Sequence, residues 1–411
     1  MTTDQTTENA TTFAALGIDA DLVDELDRQG ITSPFPIQEL TISDAIGGKD
    51  IMGKAETGSG KTLAFGLPMI MQVTKGKPRR PQGLVLVPTR ELALQVTRAL
   101  MPFLKLRGLA AVSVYGGAPM GAQIDALKAG ASIAIATPGR LIDLIERKAF
   151  DPQDISIVTI DEADQMADMG FMPQVRAIMS HLPEARQTFL YSATLDHQVQ
   201  ELIDRYMHDP VRHEVDSPTE TVDGMEHRFL KVHYMDKAKV VKEISRHNDR
   251  VLAFTRTKAG ADRLSRDLRE LDVVAAPIHG DLPQKKREQS LSRFSAGDVR
   301  VLVATNVAAR GLHIDGIDVV VHFDPPDDPK TYLHRSGRTA RAGEEGLVVT
   351  LVEWDQVNEV LGIQRRADLN IPIVKMFSND ERLADLASWE PPPEEVPFKA
   401  KSIKKRKRRG F

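Results

Sequence analysis

The alternation of short apolar runs with helical stretches is the feature that most limits how this chain can fold. The runs are rich in β-branched residues, and amphipathic patterns lie between them, such as residues 258–271, where leucines repeat at spacings of four and three. Runs of this kind suit strands that are buried on both faces, and the alternation with helices favours parallel α/β sheets. The runs are GLVLVP (83–88), SIAIAT (132–137), ISIVTI (155–160), TFLYSAT (188–194), RVLAFT (250–255), VRVLVAT (299–305), DVVVHF (318–323) and GLVVTLV (346–352).

One break divides these runs into two groups. Residues 213–227 are rich in acids, Thr, Pro and Gly and have no sustained apolar periodicity, so we predict a linker there. With 411 residues, the chain is long enough for two domains, predicted at 13–212 and 228–372. We expect residues 1–12 to be disordered and 373–411 to form a C-terminal extension, with irregular structure from about 390, where a run of three prolines follows.

The bulk composition excludes several classes of protein. Cysteine is absent, which excludes disulfides and thiolate metal sites and fits a reducing compartment. The polar N-terminus is unlike a signal peptide, and the longest near-apolar run, 11 residues, is too short to span a bilayer. We therefore expect a cytoplasmic protein without a membrane association.

A basic tail stands out against the overall charge of −4. Residues 399–409 contain eight Lys or Arg and no acid. Such a segment can be a disordered, solubilising end, or an arm that releases counterions from a polyanion. The density of positive charge favours the polyanion.

The stretch AETGSGKT, residues 55–62, has the sequence of a phosphate-binding loop. It follows a strand-like run and precedes a helix-like one, which is the context that such a loop requires. Gly58 and Gly60 allow backbone N–H groups to turn toward phosphate oxygens, while Lys61 supplies a positive charge and Thr62 a hydroxyl for Mg²⁺. The first position is Ala55, where the pattern usually has Gly.

Three acids occur within VTIDEADQM, residues 158–166. By themselves they could be an acidic helix start, which the helix dipole favours. A nucleotide on a phosphate loop also needs a carboxylate for Mg²⁺ at the end of a neighbouring strand. Asp161 stands at such a strand end, and Glu162 is then free to orient or deprotonate the attacking water.

Over residues 13–370 the chain closely resembles the DEAD-box family of ATP-dependent RNA helicases, through the order and spacing of nine motifs, DEAD among them. They are SPFPIQ (33–38), PTREL (88–92), GG (116–117), TPGR (137–140), DEAD (161–164), SAT (192–194), QKKR (284–287), TNVAARGLHID (305–315) and HRSGRTARAG (334–343). The resemblance implies two RecA-like domains, ATP and Mg²⁺ between them, and RNA lying across both. It also implies a monomeric enzyme that couples RNA-stimulated ATP hydrolysis to local, non-processive unwinding of short duplexes or to remodelling of RNA–protein complexes.

The resemblance assigns the nucleotide to residues of the first domain and to one of the second. The side-chain amide of Gln38 also matches the N7 acceptor and N6 donor of adenine, so it can select ATP. Ile31 stands where the family usually has an aromatic residue, which removes a stacking surface. The nucleotide set is Phe13, Ile31, Gln38, Ala55, Glu56, Thr57, Gly58, Ser59, Gly60, Lys61, Thr62, Asp161 and His313.

A second set of residues offers backbone N–H, hydroxyl and guanidinium groups, which bind phosphate without reading sequence. No aromatic residue is interleaved with the first-half motifs, so base stacking is not indicated there. By resemblance these residues follow the RNA backbone; alone, each would be an ordinary turn or a surface Arg. They are Thr89, Arg90, Gly117, Thr137, Gly139, Arg140 and Thr305.

The arginine-rich motif complements the phosphate loop, which the second domain lacks. It presents Arg335, Arg338 and Arg341, and a guanidinium is always charged and can chelate phosphate oxygens. Arg338 and Arg341 are three residues apart and can act as fingers on the γ-phosphate. By resemblance, Asp164, Ser192, Thr194 and His334 couple hydrolysis to strand separation, with His334 a partner for Asp164.

Two departures from the family pattern are Asn306 and His313, which stand where Asp is usual. We expect His313 to weaken the contact with the ribose and Asn306 to alter a contact within the protein. Two other functions stay open: a non-catalytic, ATP-dependent RNA clamp, and a helicase or translocase on DNA. Backbone-binding groups fit either polymer, and a preference for RNA requires contacts with 2′-hydroxyls.

Overall fold

The computed structural model describes residues 11–55, 58–215, 225–306, 316–339 and 346–391. Four residues with predicted roles, Glu56, Thr57, His313 and Arg341, lie outside these ranges, as do the basic tail and residues 1–10. The chain divides into two compact units, and the division falls between a strand that ends at Glu214 and one that begins at Met225.

The first unit is a parallel sheet with helices on both faces. Its strand order is β3-β4-β2-β5-β6-β1-β7, and every described pairing is parallel. The strands are β1 Ile51–Lys54, β2 Gly83–Leu86, β3 Ala111–Val114, β4 Ile133–Ala136, β5 Ile157–Asp161, β6 Gln187–Ser192 and β7 Val211–Glu214. The helices are α1 Ala20–Arg28, α2 Pro36–Ile46, α3 Lys61–Gln72, α4 Arg90–Leu106, α5 Met120–Lys128, α6 Pro138–Glu146, α7 Ala163–Asp168, α8 Met172–His181 and α9 His197–Tyr206, with a 3-10 turn at Pro152–Asp154.

Alternate residues of each central strand enter different hydrophobic cores. Val85 and Ile157 belong to the core beneath α3 and α4, whereas Leu86 and Val158 belong to the core on the opposite face. Successive side chains of a strand point to opposite faces, so a strand covered on both sides must be apolar throughout. This explains why the predicted runs are continuous rather than alternating.

The second unit repeats this architecture. Its strand order is β10-β11-β9-β12-β13-β8-β14, again with parallel pairings. The strands are β8 Met225–Lys231, β9 Val251–Thr255, β10 Ala275–Ile278, β11 Val301–Thr305, β12 Val319–His322, β13 Gly346–Val352 and β14 Ile373–Lys375. The described helices are α10 Lys237–Arg246, α11 Lys258–Glu270, α12 Gln284–Ser295, α13 Pro329–Ser336 and α14 Val357–Arg366, with a 3-10 turn at Glu381–Ala384.

The two units have the predicted fold class, but the structure corrects two boundaries. The ends of the predicted linker are strand, since β7 includes residues 213–214 and β8 includes 225–227. The second sheet also continues past residue 372, because β14 pairs with β8, and Met376, Leu383 and Leu386 are buried in its core. β7 and β14 are short edge strands with only partial burial, so their sequences carry a weaker apolar signal.

Candidate functional site

The phosphate-binding candidate connects β1 to α3 in the first unit. Gly58 and Gly60 have φ values of +94° and +88°, which side chains with a Cβ rarely adopt. The Lys61 side chain is buried, and its Nζ donates a hydrogen bond to the Ala55 carbonyl at 2.9 Å. Thr62 follows it in the first turn of α3 and is half-buried. The loop thus precedes the amino-terminal end of a 12-residue helix, which favours an anion.

Asp161 stands at the carboxyl end of β5, and β6 lies between this strand and β1. Neighbouring strands are about 4.8 Å apart, so the ends of β5 and β1 are about 10 Å apart. Burial raises the pKa of the Asp161 carboxyl to about 7, against the opposing effect of the Lys61 ammonium, while Glu162 and Asp164 raise it further. A cation next to Asp161 would favour its ionised form.

Glu162 has an unusual backbone conformation. Its φ and ψ are +53° and +51°, in the left-handed region, and it immediately precedes α7. Its side chain is buried, with 4% exposed. A non-glycine residue in this region is uncommon, and such strain is concentrated at functional sites. The fold therefore holds a carboxylate next to Asp161 at a local energetic cost.

Asp164 is bonded to the SAT motif within the first unit. Its Oδ2 accepts hydrogen bonds from the Thr194 backbone N–H and from Thr194 Oγ1, both at 3.2 Å. The Asp164 N–H donates to Ser192 Oγ at 3.1 Å, and Ser192 Oγ donates to the Thr194 carbonyl at 2.7 Å. Any movement of Thr194 must therefore disturb the acidic motif.

Gln38 connects the start of α2 with the phosphate-binding loop. Its amide is completely buried, donates to the Gly60 carbonyl at 2.8 Å and accepts from the Phe35 N–H at 2.8 Å. An amide has a second N–H and a second lone pair, so these two bonds do not use its full capacity, and its contact with a base stays a prediction. The sequence suggested the base contact but not the bond to Gly60.

Two predicted nucleotide residues are engaged in packing. Phe13 is 2% exposed and lies in the core of the first unit, so it supports this region from beneath. Ile31 is half-buried and packs against the same core. The Phe13 ring fills the core in this conformation, and its direct contact with the nucleotide stays a prediction.

The three predicted phosphate-binding motifs of the first unit follow three neighbouring strands. PTREL, GG and TPGR come after β2, β3 and β4, which are adjacent in the sheet and parallel, so the motifs meet at one edge. Thr89 caps α4 by accepting from the Leu92 N–H at 3.2 Å. Arg90 packs on Gly117: a Cβ there would lie 2.3 Å from Arg90 Nη1. Gly117 also has a φ of +79°, which residues with a Cβ rarely adopt, so glycine suits this position on both counts.

TPGR is joined to the GG segment through Arg140. Arg140 Nη1 donates to the Ala118 carbonyl at 3.3 Å and to Gln123 Oε1 at 3.2 Å. Gln123 in turn donates to the Tyr115 carbonyl at 3.0 Å. Thr137 immediately precedes α6, and Gly139 is its second residue, with open space beside its Cα. Gln123 belongs to none of the sequence motifs, and its role depends on the packing of two of them.

In the second unit, Thr305 is the last residue of β11 and is buried. Arg335 was predicted to be presented to a ligand, yet only 4% of it is exposed. Its Nη1 donates to the Asp324 carbonyl at 2.8 Å, and its guanidinium lies 5.2 Å from the centre of the Phe254 ring. The expectation that Arg335 faces a ligand is wrong in this conformation, since its guanidinium contacts Asp324 and Phe254 inside the second unit.

The remaining predicted residues of this motif are only partly described. His334 is half-buried in the last turn of α13, and Arg338 follows that helix with 9% exposed. Their roles stay predictions. Among the described residues, no group of three or more acids or histidines could hold a metal ion by itself, so a divalent cation would also need ligands from a nucleotide or water. The described part also contains no helix long and apolar enough to cross a bilayer.

Comparison with known sequences identifies the family. The DEAD/DEAH box helicase profile matches residues 35–202, and the helicase conserved C-terminal domain profile matches residues 236–343. The ATP-dependent RNA helicase CshA of Listeria monocytogenes is 41% identical over 345 residues, covering 84% of this chain and 66% of that protein. CshA of Geobacillus kaustophilus is 38% identical over 375 residues, covering 91% and 80% of the two chains.

Solved structures agree with the sequence comparisons. Dbp5 of S. cerevisiae, bound to RNA and ADP BeF3, has a TM-score of 0.79 with 27% identity and covers 90% of this chain and 97% of its own. A DEAD box protein from Methanococcus jannaschii has a TM-score of 0.51 with 30% identity and covers 89% and 99%. With both profiles matched in order and with these relatives, the chain belongs to the DEAD-box family of ATP-dependent RNA helicases.

Proposed function

We propose that the protein hydrolyses ATP with Mg²⁺ and uses the hydrolysis for local, non-processive unwinding of short RNA duplexes or for remodelling of RNA–protein complexes. The observation that carries the chemistry is the arrangement in the first unit. Lys61 and Thr62 begin α3, while Asp161 ends β5 at the same edge of the sheet and Glu162 follows it directly. Fixed charges at one sheet edge are what phosphoryl transfer requires, since its catalysis is mainly positioning and electrostatic stabilisation.

The first unit has the residues to hold the phosphates. Lys61 would leave or share its bond with the Ala55 carbonyl and place its ammonium on the phosphate oxygens. The hydroxyl of Thr62 and the carboxylate of Asp161 are the hard oxygen ligands that Mg²⁺ prefers. When bound, Mg²⁺ neutralises charge on the phosphates. Burial is the main cause of the raised pKa of Asp161, and a bound cation beside the carboxyl would favour its ionised form.

Glu162 is the residue we assign to the attacking water. It is buried beside Asp161, where water is restricted and a carboxylate can be held in one orientation. Arg338 and Arg341 are assigned to the negative charge on the transferred phosphoryl group, because a guanidinium binds two oxygens at once. This assignment rests on the motif HRSGRTAR and on family membership.

RNA is assigned to the connected surface formed by PTREL, GG and TPGR, together with Thr305 of the second unit. Arg90 on Gly117 and Arg140 on Gln123 join these motifs. Their hydroxyls, N–H groups and guanidiniums suit a phosphate backbone and give little sequence preference. We further propose that the enzyme acts as a monomer in the bacterial cytoplasm, and that the basic tail adds salt-dependent affinity for RNA.

Steady-state ATPase assays with single-stranded RNA, with DNA of the same sequence and with no polymer test this function. We expect RNA to stimulate phosphate release strongly and DNA to do so weakly or not at all. Equal stimulation by DNA would favour a DNA helicase or translocase, and RNA binding without stimulated turnover would favour an ATP-dependent clamp. Deleting residues 399–411 should weaken RNA binding and flatten its dependence on salt; an unchanged slope would remove the tail from this role.

A further inference from the structure

Phe35 stands at the start of helix α2, where its side chain cannot accept the hydrogen bond that a side chain at this position usually accepts. It is the N-cap residue of α2, with φ −74° and ψ 158°, and Pro36 follows at the first helical position. Ser, Thr, Asp and Asn are preferred at an N-cap because their side chains accept a backbone N–H. A phenyl ring has no acceptor. Only the reciprocal bond of a capping box is present, from the Phe35 N–H to Gln38 Oε1 at 2.8 Å.

The ring of Phe35 is exposed beside the phosphate-binding loop. About half of the residue, 52%, is accessible. A Cβ added to Gly60 would lie 2.8 Å from Phe35 Cδ2 and 2.5 Å from Gln38 Nε2, so the ring and the amide both border this glycine. Gly60 immediately precedes Lys61. The ring therefore stands next to the residues assigned to the phosphates and to the base.

Within the described part of the first unit, no other exposed aromatic residue competes for this place. Among its described residues, the large apolar side chains that are exposed are Phe35, Leu40 and Leu106, of which Phe35 alone is aromatic. Ile31 offers no ring and is half-buried against the core. Single exposed apolar side chains are ordinary on protein surfaces, so it is the position of the Phe35 ring, beside Gly60 and the Gln38 amide, that indicates a ligand contact.

We propose that the Phe35 ring packs against the adenine base of the bound nucleotide and supplies the stacking surface that Ile31 cannot provide. The ring and the Gln38 amide then act together: the amide reads the edge of the base and the ring covers its face. Aromatic rings stack on bases through their π-faces, so this contact adds affinity without selecting the base. The inference rests on the proposed function, since it requires a nucleotide on the loop.

The competing explanation is that Phe35 only shapes the loop through its contact with Gly60. The two explanations differ in which ligands they affect. A base contact matters for ADP and is irrelevant to inorganic pyrophosphate, which has phosphates but no base. A loop-shaping role affects both ligands, because the same N–H groups and Lys61 would hold either one.

The test measures the affinities of ADP and of pyrophosphate, each with Mg²⁺, by calorimetry on the full chain. The variants are Phe35→Thr, Phe35→Leu and Phe35→Tyr, with Leu40→Thr as a control that removes an exposed apolar side chain elsewhere on α2. Phe35→Thr also supplies the missing cap, so its thermal unfolding should shift upward by about 2–4 °C. A weaker ligand affinity in a more stable protein cannot be a folding defect.

We expect Phe35→Thr and Phe35→Leu to raise the Kd for ADP by about tenfold and to leave the Kd for pyrophosphate unchanged. Phe35→Tyr and Leu40→Thr should bind both ligands like the wild type. An unchanged Kd for ADP in Phe35→Thr would overturn the proposal, as would an equal loss for both ligands. Failure of the wild-type protein to bind either ligand would instead contradict the proposed function.

Discussion

Arg335 Nε donates a hydrogen bond to Asn306 Oδ1 at 2.6 Å and so joins the arginine-rich motif to the end of β11. The family usually has Asp at position 306, which would make this bond an ion pair. Burial lowers the pKa of Arg335 to about 10, while Asp324 acts in the opposite direction. Asn306 therefore gives the buried Arg335 guanidinium a neutral partner where the family pattern has a charged one.

Removing the acceptor at position 306 should destabilise the second unit. Asn306→Ala leaves the buried Arg335 without this bond, and bonds to a charged group contribute about 1.5–3 kcal/mol. Asn306→Asp keeps the acceptor and adds a counter-charge, so it should be at least as stable as the wild type. Urea unfolding followed by tryptophan fluorescence measures this unit alone, because both tryptophans, Trp354 and Trp389, belong to it. Equal stability of the Ala variant would show that Arg335 does not depend on Asn306.

Glu162→Gln should separate binding from hydrolysis. The amide keeps the size of the side chain but cannot accept a proton, so we expect ATP turnover to fall by about 10²-fold or more while ATP and RNA still bind. Phosphate release and RNA binding measure the two properties. Glu184→Gln, an exposed site in the same unit, should behave like the wild type. Wild-type turnover in the Glu162 variant would contradict its assignment to water.

Thr194→Val should reduce unwinding more than hydrolysis. Valine has nearly the shape of threonine but loses the hydroxyl that bonds to Asp164 Oδ2, while the backbone bond from residue 194 can remain. If this pair transmits hydrolysis to strand separation, the duplexes opened per ATP should fall several-fold. Parallel unwinding and ATPase assays measure that ratio. A proportional loss of both activities would mean that the pair only maintains the site.

Two buried histidines in the second unit make its stability depend on pH. Burial lowers the pKa of His227 from 6.5 to about 4, and burial together with the Arg335 charge lowers the pKa of His322 well below its usual value. His227 Nδ1 is 2.6 Å from the Tyr332 hydroxyl, and the rings of His322 and Tyr332 meet edge to face. Both histidines are therefore neutral in the folded unit at pH 7.

Acidification should destabilise this unit below about pH 6.5. Each histidine binds a proton in the unfolded chain before it does so in the folded one, so its contribution is complete above pH 6.5 and, for His227, is lost progressively down to about pH 4. The loss from His227 alone should be about 2 kcal/mol at pH 5. Urea unfolding at pH 7.5 and 5, followed by tryptophan fluorescence, measures it. The slope should decrease in His227→Gln and persist in His247→Gln, an exposed control site.

His313→Asp should lower the KM for ATP. His313 lies outside the described residues, and this prediction depends on the family pattern, in which an Asp at this position approaches the ribose. A carboxylate can accept a hydrogen bond from a ribose hydroxyl more strongly than a neutral imidazole. Steady-state kinetics with saturating RNA tests it. An unchanged or higher KM would show that His313 already serves the ribose as well as Asp does.

The sequence alone predicted the parallel α/β architecture because the central strands are buried on both faces. The apolar pattern is weaker in the edge strands of the two sheets, where apolar runs are short or interrupted. These strands are β3, β7, β10 and β14. The phosphate loop and the acidic motif were also evident, since glycine, lysine and carboxylate at fixed spacings follow directly from the chemistry of phosphate. These features depend on the spacing of residues that are close together in the chain, so the sequence alone is enough to predict them.

Tertiary structure decided which side chains each functional group meets. The bonds of Gln38 to Gly60, Arg140 to Gln123 and Asp164 to Thr194 join segments that are 17 to 30 residues apart. Packing also placed Phe13 and Arg335 inside the protein and left the Phe35 ring exposed beside the loop. A sequence motif specifies the chemistry that a residue can perform. Whether its side chain faces a ligand or the core depends on the competition for buried space, which only the folded chain resolves.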